Sequence, residues 1–146
     1  MLDVEVLYLI TNSGSTNIVK IRENILVNKT INELLNKACL EFLTTLEGRI
    51  KAIKQIYKIT KLVPIYIHED LIFQPVYSNK HWKQIYINIC NIKKVIKVND
   101  QTVITFINEK TIYLDISYER MKRYLKKCFK IKENQKNKLK KEKYYG

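Results

Sequence analysis

Glycine is scarce in this chain, with three residues in 146, alongside two prolines, one tryptophan and two histidines. So few glycines cannot build a Gly-rich phosphate cradle, and no G-x-S-x-G turn is present. The composition is neither collagen-like nor disordered. No apolar run approaches the roughly 20 residues of a membrane span. The first ten residues, MLDVEVLYLI, begin with acids and lack a small-residue cleavage site, so they read as a strand rather than a signal peptide. Cys39, Cys90 and Cys128 are far apart and form no C-x-x-C pair. A zinc site needs closely spaced ligands and a disulfide framework an even count, so three reduced, partly buried thiols are expected. No cofactor and no metal is implied.

What the chain has in excess is positive charge. Twenty-seven Lys and Arg face 14 Asp and Glu, a formal net charge of +13. An AT-rich genome inflates Lys, Ile and Asn, but the same bias inflates Glu, so the imbalance calls for a physical reason. A cytosolic protein this cationic seeks polyanions, of which nucleic acid is the commonest. A membrane surface fits less well, because no segment joins a basic face to an apolar one rich in Trp or Phe. Residues 119–146 carry 12 Lys/Arg against 3 Asp/Glu, a net of +9. The remainder carries 15 against 11, so most of the excess lies at the C-terminal end. With 46% hydrophobic residues, the rest of the chain can bury a core.

Alternation places strands at 4–10 and 18–27, with TNSGSTN as the turn between them. Thr30 and Glu33 form a capping box ahead of Ile31, Leu34, Leu35, Ala38 and Phe42, which share one helical face. That pattern predicts a helix over 31–46, with Gly48 as its left-handed stop. Residues 49–61 fit both helical spacing and alternation; a short helix turning into a strand near 58 is expected. VPIYIHEDLIFQP reads as two strands around His68-Glu69-Asp70. Four strand signals at 85–90, 92–98, 102–107 and 111–116 suggest a β-meander, with turns at Asn99-Asp100 and Asn108-Glu109. Ser117 is placed to cap a last helix. Its apolar stripe is Tyr118, Met121, Leu125 and Cys128 or Phe129. The expected fold is α+β: an antiparallel β-meander sheet, one helix after the second strand, and a basic C-terminal helix. Residues 1–131 form a single domain in this reading, and 132–146 a lysine-rich disordered tail.

The search for chemistry finds little. His68, Glu69 and Asp70 are consecutive and rarely converge, so a solvated turn is the expectation. His81-Trp82 reads as a surface or packing pair. Cys128 sits amid cations yet falls on the apolar stripe. The expectation is therefore not an enzyme. The basic residues fall in three clusters. Arg49, Lys51, Lys54, Lys58 and Lys61 form the first; Lys80, Lys83, Lys93 and Lys94 the second. Arg120, Lys122, Arg123, Lys126, Lys127 and Lys130 form the third. Each phosphate such cations neutralise releases counterions, so binding should fall steeply with salt. Arginine is favoured in narrow A-tract minor grooves, which singles out Arg49, Arg120 and Arg123 among four arginines. Aromatics do not interleave with the clusters as single-strand binding prefers.

Over roughly residues 25–127 the chain resembles ComK, the competence transcription factor family of low-GC Gram-positive bacteria. The resemblance is carried by short stretches in order. They are the helix ending in Cys39, Glu47-Gly48-Arg49, Ile59-Thr60 with Pro64-Ile65, and Leu71-x-Phe73-x-Pro75 with Ser78. Tyr86-Ile87-Asn88, Val103-x-x-Phe106 with Asn108, and Leu114-x-Ile116-Ser117-Tyr118 complete the set. It implies a cytoplasmic, nucleoid-associated activator of DNA-uptake genes that binds A/T-rich double-stranded DNA from the minor-groove side. It also implies a homodimer or higher homo-oligomer, RNA polymerase as a partner, and adaptor-delivered proteolysis through C-terminal residues. The chain departs from the family where a histidine pair is usual, here Cys90-Asn91, and where an arginine-bearing loop is usual, here Ser78-Asn79-Lys80. KKEKYYG carries no match to an adaptor motif. The competing readings are an RNA- or ribosome-associated protein, a partner-docking protein with a basic tail, and a nuclease using His68.

Overall fold

The computed structural model describes residues 1–78 and 82–145. It is α+β, with antiparallel sheets and a long C-terminal helix, as the alternation and the last amphipathic stretch imply. The hairpin β1 (Val6–Asn12) and β2 (Ser15–Lys20) turns at Ser13 and Gly14, both at positive φ (47° and 86°). The strand expected over 18–27 is broken. Lys20 N–H donates to Glu23 O at 2.8 Å, closing a turn over Ile21 and Arg22, and β3 (Asn24–Val27) then folds back on β2. The first helix, α1 (Ile31–Leu40), therefore follows the third strand instead of the second.

The capping box forms as read: Thr30 Oγ1 accepts from Glu33 N–H at 3.1 Å. The helix ends earlier than expected, because Leu43 takes the left-handed turn (φ 62°). Gly48 is not a stop. It lies inside a second helix, α2 (Leu46–Tyr57), whose cap is Thr45; Thr45 Oγ1 accepts from Gly48 N–H at 2.9 Å. The ambiguous 49–57 stretch is thus helical. Its apolar residues Ile50, Ile53 and Tyr57 recur at helical spacing and are at least half-buried. Lys58 closes the helix in the left-handed conformation (φ 57°).

β4 (Ile65–His68) and β5 (Leu71–Pro75) form the hairpin expected around His68-Glu69-Asp70. β6 (Ile85–Asn88) pairs with both β1 and β5, giving a six-stranded sheet ordered β3-β2-β1-β6-β5-β4. The expected four-stranded meander is therefore split. A 3₁₀ turn at Ile89–Asn91 carries the chain out of that sheet into β7 (Ile92–Val98), β8 (Gln101–Phe106) and β9 (Thr111–Ser117), a separate three-stranded meander. Asn99 and Asp100 both take positive φ, as their type permits; in the next turn it is Glu109 (φ 72°).

Both faces of the large sheet are covered. On one side Leu9, Ile18, Ile67 and Phe73 pack with Leu34, Leu35 and Cys39 of α1. On the other, Leu7, Ile72 and Ile87 pack with Ile104, Phe106 and Leu114 of the small sheet, and with Met121, Leu125 and Cys128. Coverage on both faces explains why every residue of β5 is buried, Gln74 included.

The last helix, α3 (Tyr118–Tyr145), starts where Ser117 Oγ accepts from Arg120 N–H at 3.3 Å. It does not end at 131, where a disordered tail was expected. Ile131 is buried against Ile53, Ile59 and Val63. Tyr57 Oη donates to Asn134 Oδ1 at 2.8 Å and accepts from Gln135 Nε2 at 3.1 Å. These contacts tether the next turn to α2. Lysine, a good helix former, dominates the sequence of the remaining turns.

Candidate nucleic-acid interface

Helix α3 buries Met121, Leu125, Cys128 and Ile131 along one stripe. On one flank lie Arg120, Arg123, Lys127 and Lys130, spaced by three and four residues; on the other lie Lys122 and Lys126. Like charges four apart, such as Arg123 with Lys127 and Lys126 with Lys130, oppose the helix by about 0.2–0.5 kcal/mol each. Burying each large apolar side chain of the stripe contributes about 1.5–3 kcal/mol, so docking wins and the repulsion stays in place. A polyanion laid along this face would relieve it.

Arg120 and Tyr124 form one wall of an open groove of about 700 Å³. The opposite wall is Ile50 and Lys54 of α2, then Lys61 and Leu62 of the loop after it. Two of the three basic clusters thus meet at one opening. Gln74, fully buried, holds that loop: its Nε2 donates to Leu62 O at 3.0 Å and to Pro75 O at 2.8 Å. Its Oε1 accepts from the Cys128 thiol at 3.1 Å, so one side chain ties the loop, β5 and α3 together. Burial pushes the Cys128 thiol far above its ordinary value, which keeps it a neutral donor. Tyr77 Oη accepts from Asp115 N–H at 3.0 Å across the groove's end.

Ion pairing separates the cations into two groups. Lys51 pairs with Glu47 at 3.2 Å, and Lys93 with Glu109. Lys97 pairs with Asp100 at 3.2 Å and Glu119 at 3.3 Å; these two carboxylates, hydrogen bonds first, hold its ammonium above its ordinary value. Among the described residues, no ion pair involves Lys54, Lys58, Lys61, Arg120, Arg123, Lys126, Lys127 or Lys130. Most of the unneutralised cations are those of α2's C-terminal end, the loop after it and α3; Lys29, Lys37, Lys94 and Lys110, also outside any ion pair among the described residues, are scattered over the rest of the fold.

The other candidate residues fall elsewhere. Arg49 faces inward: Nε donates to Thr44 Oγ1 at 2.8 Å, and Nη1 to the carbonyls of Tyr66 (2.8 Å) and Ile67 (3.4 Å). It fastens α2 to β4, so its guanidinium already has partners within the fold. Lys94 is exposed on β7, on the small sheet, and Lys83 is half-buried ahead of β6. Lys122 Nζ stands over the Tyr118 ring, 5.3 Å from its centroid. Lys80 and His81 lie outside the described residues. His68 is engaged in its own turn, with Nδ1 accepting from Asp70 N–H at 3.2 Å and the ring beside Phe42. All three cysteines are free thiols. Sequence reasoning missed Asp115, Tyr77, Tyr86 and Tyr124 as groove residues. No local signal marks them, because they meet only through long-range packing.

These features define a basic α+β protein whose one helical face carries uncompensated positive charge, the architecture of a polyanion-binding protein. The chain belongs to the ComK family: the family model described as ComK protein matches residues 4–140, nearly the whole chain. The family is one of transcription factors, not of enzymes. No curated protein and no solved structure matches the chain significantly. No described helix is long and apolar enough to cross a membrane.

Proposed function

We propose that this protein is a sequence-specific DNA-binding activator of competence genes, recognising A/T-rich duplex through the minor groove and the phosphates. The carrying observation is the segregation of charge. Cations without acidic partners gather on α3 and the adjoining end of α2, while those on β7 and early α2 are largely neutralised. α3 is 28 residues long, about 42 Å at 1.5 Å per residue, enough to follow a phosphate track over more than one turn of duplex. Arg120 and Arg123, three apart on one flank, reach the same groove edge; Lys54, Lys58, Lys61, Lys126 and Lys127 hold phosphates. The lysine-rich stretch beyond 132 adds nonspecific attraction. Two-fold assembly would repeat the contact at a helical-turn spacing, as expected of an activator working with RNA polymerase in the nucleoid.

The test is competition among an AT-rich duplex, a GC-rich duplex and a structured RNA at one fixed salt concentration near physiological. The AT-rich duplex should win, and its affinity should fall steeply as salt rises. A preference for RNA would replace this reading with that of an RNA- or ribosome-associated protein.

A further inference from the structure

The groove between α2 and α3 has more than cations. Its rim carries Lys54, Lys61 and Arg120, none of them in an ion pair among the described residues. Its floor is apolar, built from Val63, Ile65, Val76 and Ile116, and Tyr86 and Tyr124 also line the groove. A duplex touching the rim would leave that floor empty, because its bases are stacked and paired out of reach. About 700 Å³ lies within the range of small-molecule sites, roughly 300–1,000 Å³. The walls are held by the hydrogen bonds of Gln74 and Tyr77, so the space is pre-formed.

We propose that this groove is a binding site for a nucleoside phosphate. The phosphates sit among Lys54, Lys61 and Arg120, and the planar base lies on the apolar floor beside the tyrosines. Asp115, the one acid among the described lining residues, fits the third part of such a ligand. Its Oδ1 accepts from Gln101 Nε2 at 3.1 Å, leaving the second oxygen to accept from ribose hydroxyls. A free phosphate would use only the rim. A fatty acid would use rim and floor but has no hydroxyl to donate to the Asp115 carboxylate. A consequence, which rests on the proposed DNA binding, is competition: a nucleotide in the groove occupies cations that duplex phosphates need.

Calorimetric titration of the full chain near 0.15 M salt tests this, with ADP, adenosine, inorganic phosphate and decanoate as probes. ADP should bind at least about tenfold more tightly than any of the other three. Lys61→Glu and Arg120→Glu should each weaken ADP about tenfold while changing adenosine less than about twofold. Lys37→Glu, an exposed charge reversal on α1, should leave ADP binding as it was. ADP no tighter than phosphate, decanoate equal to ADP, or an equal loss in the Lys37 variant would each overturn the proposal. DNA binding is read separately, without nucleotide. A protein that binds AT-rich duplex and ignores ADP sinks the groove site alone. One that binds ADP and ignores duplex supports the groove and sinks the functional reading.

Discussion

Two regions of this molecule are rich in lysine and put it to different physical use. On β7 and the turns beside it, Lys93 and Lys97 are met by Glu109, Asp100 and Glu119. On α3 and the end of α2, comparable cations have no acidic partner among the described residues. Lysine count alone therefore says little about where a polyanion lands. What counts is whether the folded chain has already neutralised the charge. Lysines on a sheet edge also blunt edge-to-edge pairing, a sufficient reason for β7 to carry them.

The largest expected effect breaks the comparison outright. Reversing Lys61 and Arg120 together should lower affinity for AT-rich duplex about a hundredfold, roughly 2.7 kcal/mol, and flatten the salt dependence by about one unit of slope per lost phosphate contact. Fluorescence anisotropy over a salt series measures both. A loss no greater than that of a single β7 variant would erase the distinction between the regions.

Arg49→Ala should act on the fold instead. It removes three hydrogen bonds from a charged donor and leaves the Tyr66 carbonyl without its partner, a destabilisation of about 2 kcal/mol in urea unfolding. Duplex affinity of the fraction that remains folded should hardly change. A large loss of affinity at unchanged stability would return Arg49 to the interface.

A smaller effect concerns Asp3, paired with the buried Lys20 at 2.9 Å. Burial pushes its carboxyl up, but the Lys20 hydrogen bond and the Glu5 amide outweigh this and hold it below its ordinary value of 3.8. A depressed carboxyl adds stability above its unfolded pKa and loses it as pH falls through the folded one. The melting temperature should therefore drop below about pH 4 more steeply in the wild type than in Asp3→Asn. Parallel curves would show the pair to be neutral. Smallest of all, Lys97→Ala should change duplex affinity less than about twofold, since its charge is already matched. A tenfold loss there would move the interface to the small sheet.

Much of this was legible locally. The Thr30–Glu33 box and Ser117 marked helix starts, because a cap is a contact between near neighbours. The Asn99-Asp100 turn followed from tolerance of positive φ. Gly48 misled because it lies in the first turn of α2, where a Cβ would come within 3.1 Å of the capping Thr45 hydroxyl, a closeness the sequence does not show. The left-handed turn fell instead on Leu43, a residue type that gives no such signal. The split of the meander was hidden, since β6 finds its place by pairing with β1, more than 70 residues away. Arg49 looked like a groove reader because sequence shows a residue's chemistry and not what its side chain already holds.

The sequence by itself determined an α+β chain with an excess of cations at its C-terminal end and a helix to carry them, because periodicity, capping and charge are properties of neighbouring residues. Only the tertiary structure decided which cations remain unmatched and that α2 and α3 face each other across a groove. Ion pairs and grooves form between segments distant in the chain, and their geometry exists only once the core has set those segments side by side.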